Sequence, residues 1–441
     1  MSTPEYAALP AEVEEQVAHL KKTRLLYYED PYTREFDAEV LRSVAIGQGS
    51  YAVLDRTAFF PEGGGQPGDR GVVEWEGATF EVLDTRSVGD IVVHVLNRRF
   101  EAEGRSVKGL IDWPSRYSNM KHHTAAHIVF SAARSVLKAQ DLQYMGFQIG
   151  KDRVRLDLNR EESMTSDQFR EIETQANLTA LRQLPIKTSF TTRNEAVEKF
   201  RSNLGLTEVT PSGEVRLVEV GDQDVSLCCG THVKSTIEVV PIKILGRLRL
   251  QKGIERLEVA AGEYAYKRFS EASNALSKLA DIFNTEDKNI VLRVEQLLRE
   301  HDKMKDQLRD LRMSMAEAEA LRYLSQAEHL GRSRLVVRTL TDIDADTLKR
   351  MALKITHSDD DAVTVLGSSD GAGYMVSAAG ANLVAKGLDI NLIVKAVASE
   401  FGCRGGGTKN IAQMGGFIPD QLQELTRKIE ETIRREISEK T

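Results

Sequence analysis

The chain has 441 residues, long enough for several domains with cores of their own. Its 59 Lys and Arg stand against 66 Asp and Glu, a formal net charge of −7, so any nucleic-acid contact must come from a local basic patch rather than from the whole surface. Three cysteines, Cys228 and its neighbour Cys229 with a distant Cys403, exclude a disulfide framework and fit a reducing compartment.

The opening stretch, MSTPEYAALPAEVEEQVAHLKKT, reads as a polar amphipathic helical extension over 1–23. It lacks the apolar core of a signal peptide. No run anywhere approaches ~18 apolar residues, so no membrane span is expected and the predicted location is cytoplasmic.

From 24 to 111 the pattern changes. Short β-type runs such as YAVLDRTAFF, GVVEW, ATFEVLDTRSV and DIVVHVL are separated by turns containing Gly and Asp. This spacing predicts a small antiparallel β-barrel or sandwich. DWPS follows, with Asp112 as N-cap and Pro114 in the first turn of a helix that carries RYSNMKHHTAAHIVFSAARSVLKAQ. Mixed α and β segments complete a predicted α+β domain over 112–262.

Residues 263–330 are almost all helix-forming. Ile290, Val294, Leu297, His301, Met304, Leu308, Leu311, Met315 and Ala318 alternate at spacings of four and three. That seam predicts a coiled coil or helical hairpin, with His301 as a tolerated polar position on it. The last segment, 331–441, returns to α/β, with strands at RLVVRTL and AVTVLGSS. The predicted fold class is therefore α+β multidomain: barrel, α+β domain, helical linker and C-terminal α/β domain.

Two short motifs carry the chemistry. In HHTAAH, His123 and His127 sit at i and i+4 and share one helix face. HTAAH lacks the Glu of HExxH, which argues against a zincin peptidase. In CCGTH, Cys228 and His232 flank Gly230, which suits a tight turn that aims both side chains inward. Two imidazoles and a thiolate, with or without a fourth donor, suit Zn2+. His122 points about 100° away from His123 and is expected to be exposed or to stand behind the ligands. Cys229 is expected to be a small buried neighbour. The basic run KILGRLRLQKGIER sets Lys243, Arg247, Arg249, Lys252 and Arg256 against Glu255 alone, a candidate phosphate-contacting edge.

Together HTAAH and CCGTHV resemble the editing domain of alanyl-tRNA synthetases and their free-standing relatives, the AlaX alanyl-tRNA editing proteins. DRTAFFPEGGGQPGDRG, from Asp55 to Gly71, is similar to that family's PEGGGQ motif. GSSDGAGYMVSAAG and EFGCRGGGTKNIAQMGG resemble the DHHA1 (C-Ala) domain that ends those synthetases. Cys229 stands where the family often has Gly, and Cys403 departs from the more usual GGRGGG. With only about 24 residues ahead of the barrel, the sequence resembles the long, C-Ala-bearing form of the editing protein.

The resemblance implies a trans-editing hydrolase. It would deacylate mischarged tRNA(Ala), chiefly Ser-tRNA(Ala) and next Gly-tRNA(Ala), because an apolar pocket rejects a near-isostere by only ~10–200-fold. His123, His127, Cys228 and His232 would hold the zinc. Thr57 would contact the serine hydroxyl, Gln66 would orient substrate or water, and Glu62, Gly63, Gly64 and Gly65 would wall the pocket. Arg247, Arg249 and Lys252, with Arg404, Gly405, Gly406 and Gly407 as a backbone phosphate cradle, would contact tRNA. ATP binding is not expected. A homodimer through the coiled coil or the DHHA1 domain is permitted. Four protein ligands would close the metal, so either one, such as His232, stands off it, or the metal only positions substrate. The alternatives are a non-catalytic tRNA-binding protein with a structural zinc and an editing hydrolase for another mischarged tRNA.

Overall fold

Apolar and polar side chains alternate along Glu35–Val40, and the buried set faces one way. That period of two lets six antiparallel strands close on themselves. The barrel runs in the order Glu35–Ile46, Gly49–Leu54, Ile91–Leu96, Ala78–Val88, Gly71–Trp75 and Ser106–Ile111. Phe59, Phe80, Phe100, Leu54 and Val82 fill it. The computed structural model describes residues 8–46, 49–139, 141–200, 214–370 and 372–440. The start of the predicted N-terminal helix and Gln140, at the end of the long one, lie outside these. A short helix, Ala11–Val17, buries Val13 and Val17 in a cluster with Val44, Val53, Ile91 and Val93 of the barrel strands.

The chain divides into two compact units, Met1–Ile282 and Phe283–Thr441. In the first, the helix Trp113–Leu137 starts where Asp112 accepts from Ser115 N–H at 3.4 Å, with Pro in the first turn, and ends at Lys138 in the left-handed conformation. It lies on a four-stranded antiparallel sheet ordered Ile242–Gln251, Gly253–Ala261, Val154–Arg160, Tyr144–Ile149. The helix Ser166–Leu181, opened by a Thr165/Gln168 capping box, packs beside it. A three-stranded sheet of Ile186–Thr192, Glu214–Val220 and Asp224–Leu227 completes this part.

Barrel and helix are joined by one buried ion pair. Arg116 Nε donates to Asp69 Oδ2 at 2.7 Å, and Nη1 donates to Pro31 O at 3.2 Å. Asp69 also accepts from Phe60 N–H at 2.7 Å. Both charged side chains are essentially without solvent contact. Removing either partner of such a pair leaves an uncompensated buried charge.

The second unit contains the 36-residue helix Ile290–Ser325 and a six-stranded sheet. Ser333–Thr341 and Ala362–Asp370 run parallel, and the intervening chain holds the helix Ala345–Ser358. Leu297, Met304, Leu308, Leu311 and Met315 of the seam are exposed in the single chain. His301 is exposed with them.

Candidate metal centre

His123 and His127 project from one face of Trp113–Leu137, their rings 5.5 Å apart and nearly parallel. The turn after Asp224–Leu227 brings Cys228 and His232 to the same place. Cys228 Sγ lies 3.2 Å from His123 Nε2 and 3.3 Å from His232 Nε2. Donor atoms of all four residues lie within 4.8 Å of one another. Tetrahedral zinc, with bonds of ~2.0 Å to nitrogen and ~2.3 Å to sulfur, separates its donors by roughly 3.3–3.6 Å. The four residues fit that ion.

The outer face of each imidazole makes the stronger case. His123 Nδ1 lies 3.0 Å from Gln66 Oε1. His127 Nδ1 lies 3.1 Å from Asp224 Oδ2, and His232 Nδ1 3.1 Å from Thr124 Oγ1. With Nδ1–H donated outward, the Nε2 lone pair of each ring is turned to the centre. That is how ligating histidines are oriented. Burial disfavours the Cys228 thiolate, but His123 and His232 beside it outweigh this and hold the thiol well below its usual range. Burial pushes His232 down to about 3. Burial acts the same way on His127, yet its hydrogen bonds to Asp224 and Cys228 raise it to about 10.

The ligand turn is tied at nearly every peptide. Arg216 Nη1 donates to Cys228 O and Gly230 O at 2.9 and 2.8 Å. Tyr28 donates to Cys229 O at 3.1 Å, and Thr231 N–H to Gln66 Oε1 at 3.0 Å. Gly230 has no room for a side chain: a Cβ there would lie 2.1 Å from His123 Cε1.

PEGGGQ serves this turn. Gly63 and Gln66 exchange backbone hydrogen bonds of 3.0 Å each, closing a tight turn on Gly64 (φ +57°) and Gly65 (φ +78°). A Cβ on Gly65 would sit 2.3 Å from Phe147 O. Gln66 is fully buried. Its Oε1 faces His123 and Thr231, and its Nε2 donates to Thr231 Oγ1 at 2.8 Å, so its polar atoms are all engaged behind the four-donor cluster. Gly64 lies beside Cys229, and Glu62 is exposed and paired with Arg86.

Thr57 is fully buried in the barrel region, and its hydroxyl lies 2.9 Å from His94 Nε2 while accepting from Phe59 N–H. His94 Nδ1 faces Ala52 O, and burial pushes the ring down to about 4, so Nε2 is the acceptor. One lone pair of Thr57 Oγ1 is left over.

Several expectations change. His122 is fully buried, not exposed: its Nδ1 donates to Ser118 O, and its ring lies against Tyr264. Trp113–Leu137 is covered nearly all round, so the wheel position of His122 does not reach solvent. Cys229 is exposed, not buried, because the turn points one cysteine inward and the next outward. In the basic run, Lys243 is paired with Glu173, Arg256 with Asp157, and Arg249 donates to Ser163 Oγ and Glu161 O. Arg247, within the strand Ile242–Gln251, and Lys252, at the hairpin turn, are exposed. Arg404, Gly405, Gly406 and Gly407 form an extended edge strand paired with Ile411–Phe417, not a looped cradle. A Cβ on Gly405 would lie 2.9 Å from the Ala398 methyl, and one on Gly407 2.2 Å from Ile411 O, so close packing accounts for these glycines.

Three segments of the chain match known families. Residues 5–115 match the family "tRNA synthetases class II (A)", 215–258 the "Threonyl and Alanyl tRNA synthetase second additional domain", and 332–435 the DHHA1 domain. The ligand turn lies inside the second match. These three matches, in this order along the chain, place it in the alanyl-tRNA synthetase class of domain arrangements. It is an alanyl-tRNA synthetase-related protein. It is 36% identical over 405 residues to the alanine–tRNA ligase of Methanothrix thermoacetophila, covering 92% of this chain and 44% of the ligase. It is 36% identical over 427 residues to that of Pyrobaculum neutrophilum, covering 96% of this chain and 45% of the ligase. The chain thus spans less than half the length of these relatives. A solved C-Ala domain of Aquifex aeolicus alanyl-tRNA synthetase aligns with 24% of this chain and 95% of its own, at 20% identity and a TM-score of 0.22.

Proposed function

We propose that this protein hydrolyses the ester of mischarged tRNA(Ala), Ser-tRNA(Ala) first and Gly-tRNA(Ala) next, at a zinc held by His123, His127, Cys228 and His232. The observation that carries this is the set of three imidazoles, each bonded outward through Nδ1 and turned inward through Nε2 toward one thiolate. Zinc, when bound, polarises an ester carbonyl and lowers the pKa of water.

The chain's own groups prepare the site. Asp224 makes His127 the most electron-rich imidazole, and Gln66 sets the ring plane of His123. His232 is backed by a hydroxyl alone, so of the three imidazoles it would be the most weakly supported donor to a bound zinc. Thr57 offers its remaining lone pair to a serine hydroxyl, a bond that alanine cannot make. Exposed Arg247 and Lys252 and the Arg404–Gly407 edge contact tRNA. Two copies pair through the exposed seam of Ile290–Ser325, and the protein works in the cytoplasm.

The test is hydrolysis of Ser-, Gly- and Ala-tRNA(Ala) by the wild type and by Cys228→Ala. Loss of Ser but not Ala, abolished by the substitution, supports the proposal. Tight tRNA binding with no hydrolysis of any substrate would replace it with a tRNA-binding protein whose zinc is structural.

A further inference from the structure

Phe190, on the strand Ile186–Thr192, is 50% exposed. A single exposed apolar residue is ordinary. What marks this one is the stack beneath it. Its cross-strand partner is Arg216, so both side chains leave the sheet on the same face. Arg216 is buried, holds the Cys228 and Gly230 carbonyls, and places its guanidinium 4.8 Å from the centre of the Tyr28 ring. Tyr28 binds Cys229 O through its hydroxyl and meets Phe190 edge to face at 5.6 Å. Arg216, Tyr28 and Phe190 thus form one contiguous series that begins on the ligand turn and ends at solvent.

The substrate proposed above supplies an occupant for that end, and this inference rests on that proposal. The scissile ester and the terminal adenine are attached to the same ribose. When the ester lies at the metal donors, the base must rest on a surface close beside them. We propose that Phe190, braced by Tyr28, is the platform on which the 3′-terminal adenine of the aminoacyl-tRNA stacks. A phenyl ring has no polar atom with which to read a base edge, but its face accepts a base by stacking. Tyr28 cannot move away to fill the space, because its hydroxyl is held by Cys229 O and its ring by Arg216. Polar, exposed Thr188 and Thr192 flank Phe190 on the same face of its strand and leave its ring accessible.

The test measures binding of two uncharged acceptor-stem minihelices to the full chain, one ending in CCA and one in CC. The wild type should prefer the CCA end by roughly 5- to 100-fold, the range of one base–aromatic stack. Phe190→Ala should erase the preference, and Phe190→Trp should keep it. An unchanged preference in Phe190→Ala overturns the platform. So does a wild type that hydrolyses Ser-tRNA(Ala) but binds both minihelices equally, and in that case the proposed function stands. A wild type that shows neither hydrolysis nor preference overturns both.

Discussion

Gly230→Ala adds one methyl group at the most crowded point of the site. The added carbon would lie 2.1 Å from His123 Cε1, 2.3 Å from its Nδ1 and 2.8 Å from Gln66 Oε1. Contacts under 3 Å to buried rings cannot be absorbed in place, so either the turn or the imidazole moves. Gly230 is not among the residues with left-handed backbone, so the penalty is steric alone. Overpacking of this kind costs about 1–3 kcal/mol. Displacing His123 also breaks its bond to Gln66, and loss of such a backing partner weakens metal affinity by ~10–100-fold. The assay is zinc affinity by competition with a chromophoric chelator, with thermal unfolding alongside. Gly246→Ala is the control, because a Cβ there meets nothing within 4 Å. Wild-type zinc affinity in Gly230→Ala would show that the turn does not hold His123 as described, and the arrangement of the centre would have to be rejected.

Asp224→Asn keeps the shape behind His127 but removes the charge, and should lower zinc affinity ~10–100-fold with little change in the fold; equal affinity in a titration would refute the role given to Asp224. Asp69→Asn leaves Arg116 buried without its anion and should cost about 3–5 kcal/mol in denaturant unfolding, against under ~0.5 kcal/mol for an exposed carboxylate such as Glu101. His94 should make stability fall in mild acid. Its folded value of about 4 lies below the ordinary 6.5, so the unfolded chain binds the extra proton between those limits. Stability is then intact above pH 6.5 and lost as pH falls toward 4, by about 2 kcal/mol between pH 7 and 5. His94→Gln should remove that part of the slope, and an unchanged slope would mean that His94 titrates normally.

The ligand pairs are legible because each is local: i and i+4 on one helix, and four positions apart around a glycine. Their meeting is legible only from the two motifs taken together. The partners behind them are not, because Gln66, Asp224 and Thr124 come from 57, 97 and 108 positions away from the histidines they support. Asp224 leaves a faint trace, as an acid four residues ahead of Cys228. The barrel is readable from its alternation, whereas the Asp69–Arg116 joint is invisible, since an Asp after PEGGGQPG and an Arg in a helix look like surface residues. His122 fails for a related reason: a helical wheel gives direction but not what lies in that direction. The glycines 405–407 mislead because a run that suits a phosphate loop equally suits an edge strand pressed against a helix.

The tethering of the Cys228–His232 turn sets an order of events during synthesis. The turn is held by Tyr28, Gln66, Thr124 and Arg216, which come from four separate parts of the chain, and the two donor pairs are about a hundred residues apart. A nascent chain that has emerged only as far as the histidine helix offers two imidazoles, too few to select zinc. Zinc held as proposed above would be taken up only once the barrel, the helix and the later sheet are all outside the ribosome. Ion capture would then be a checkpoint on a completed assembly rather than a seed for it.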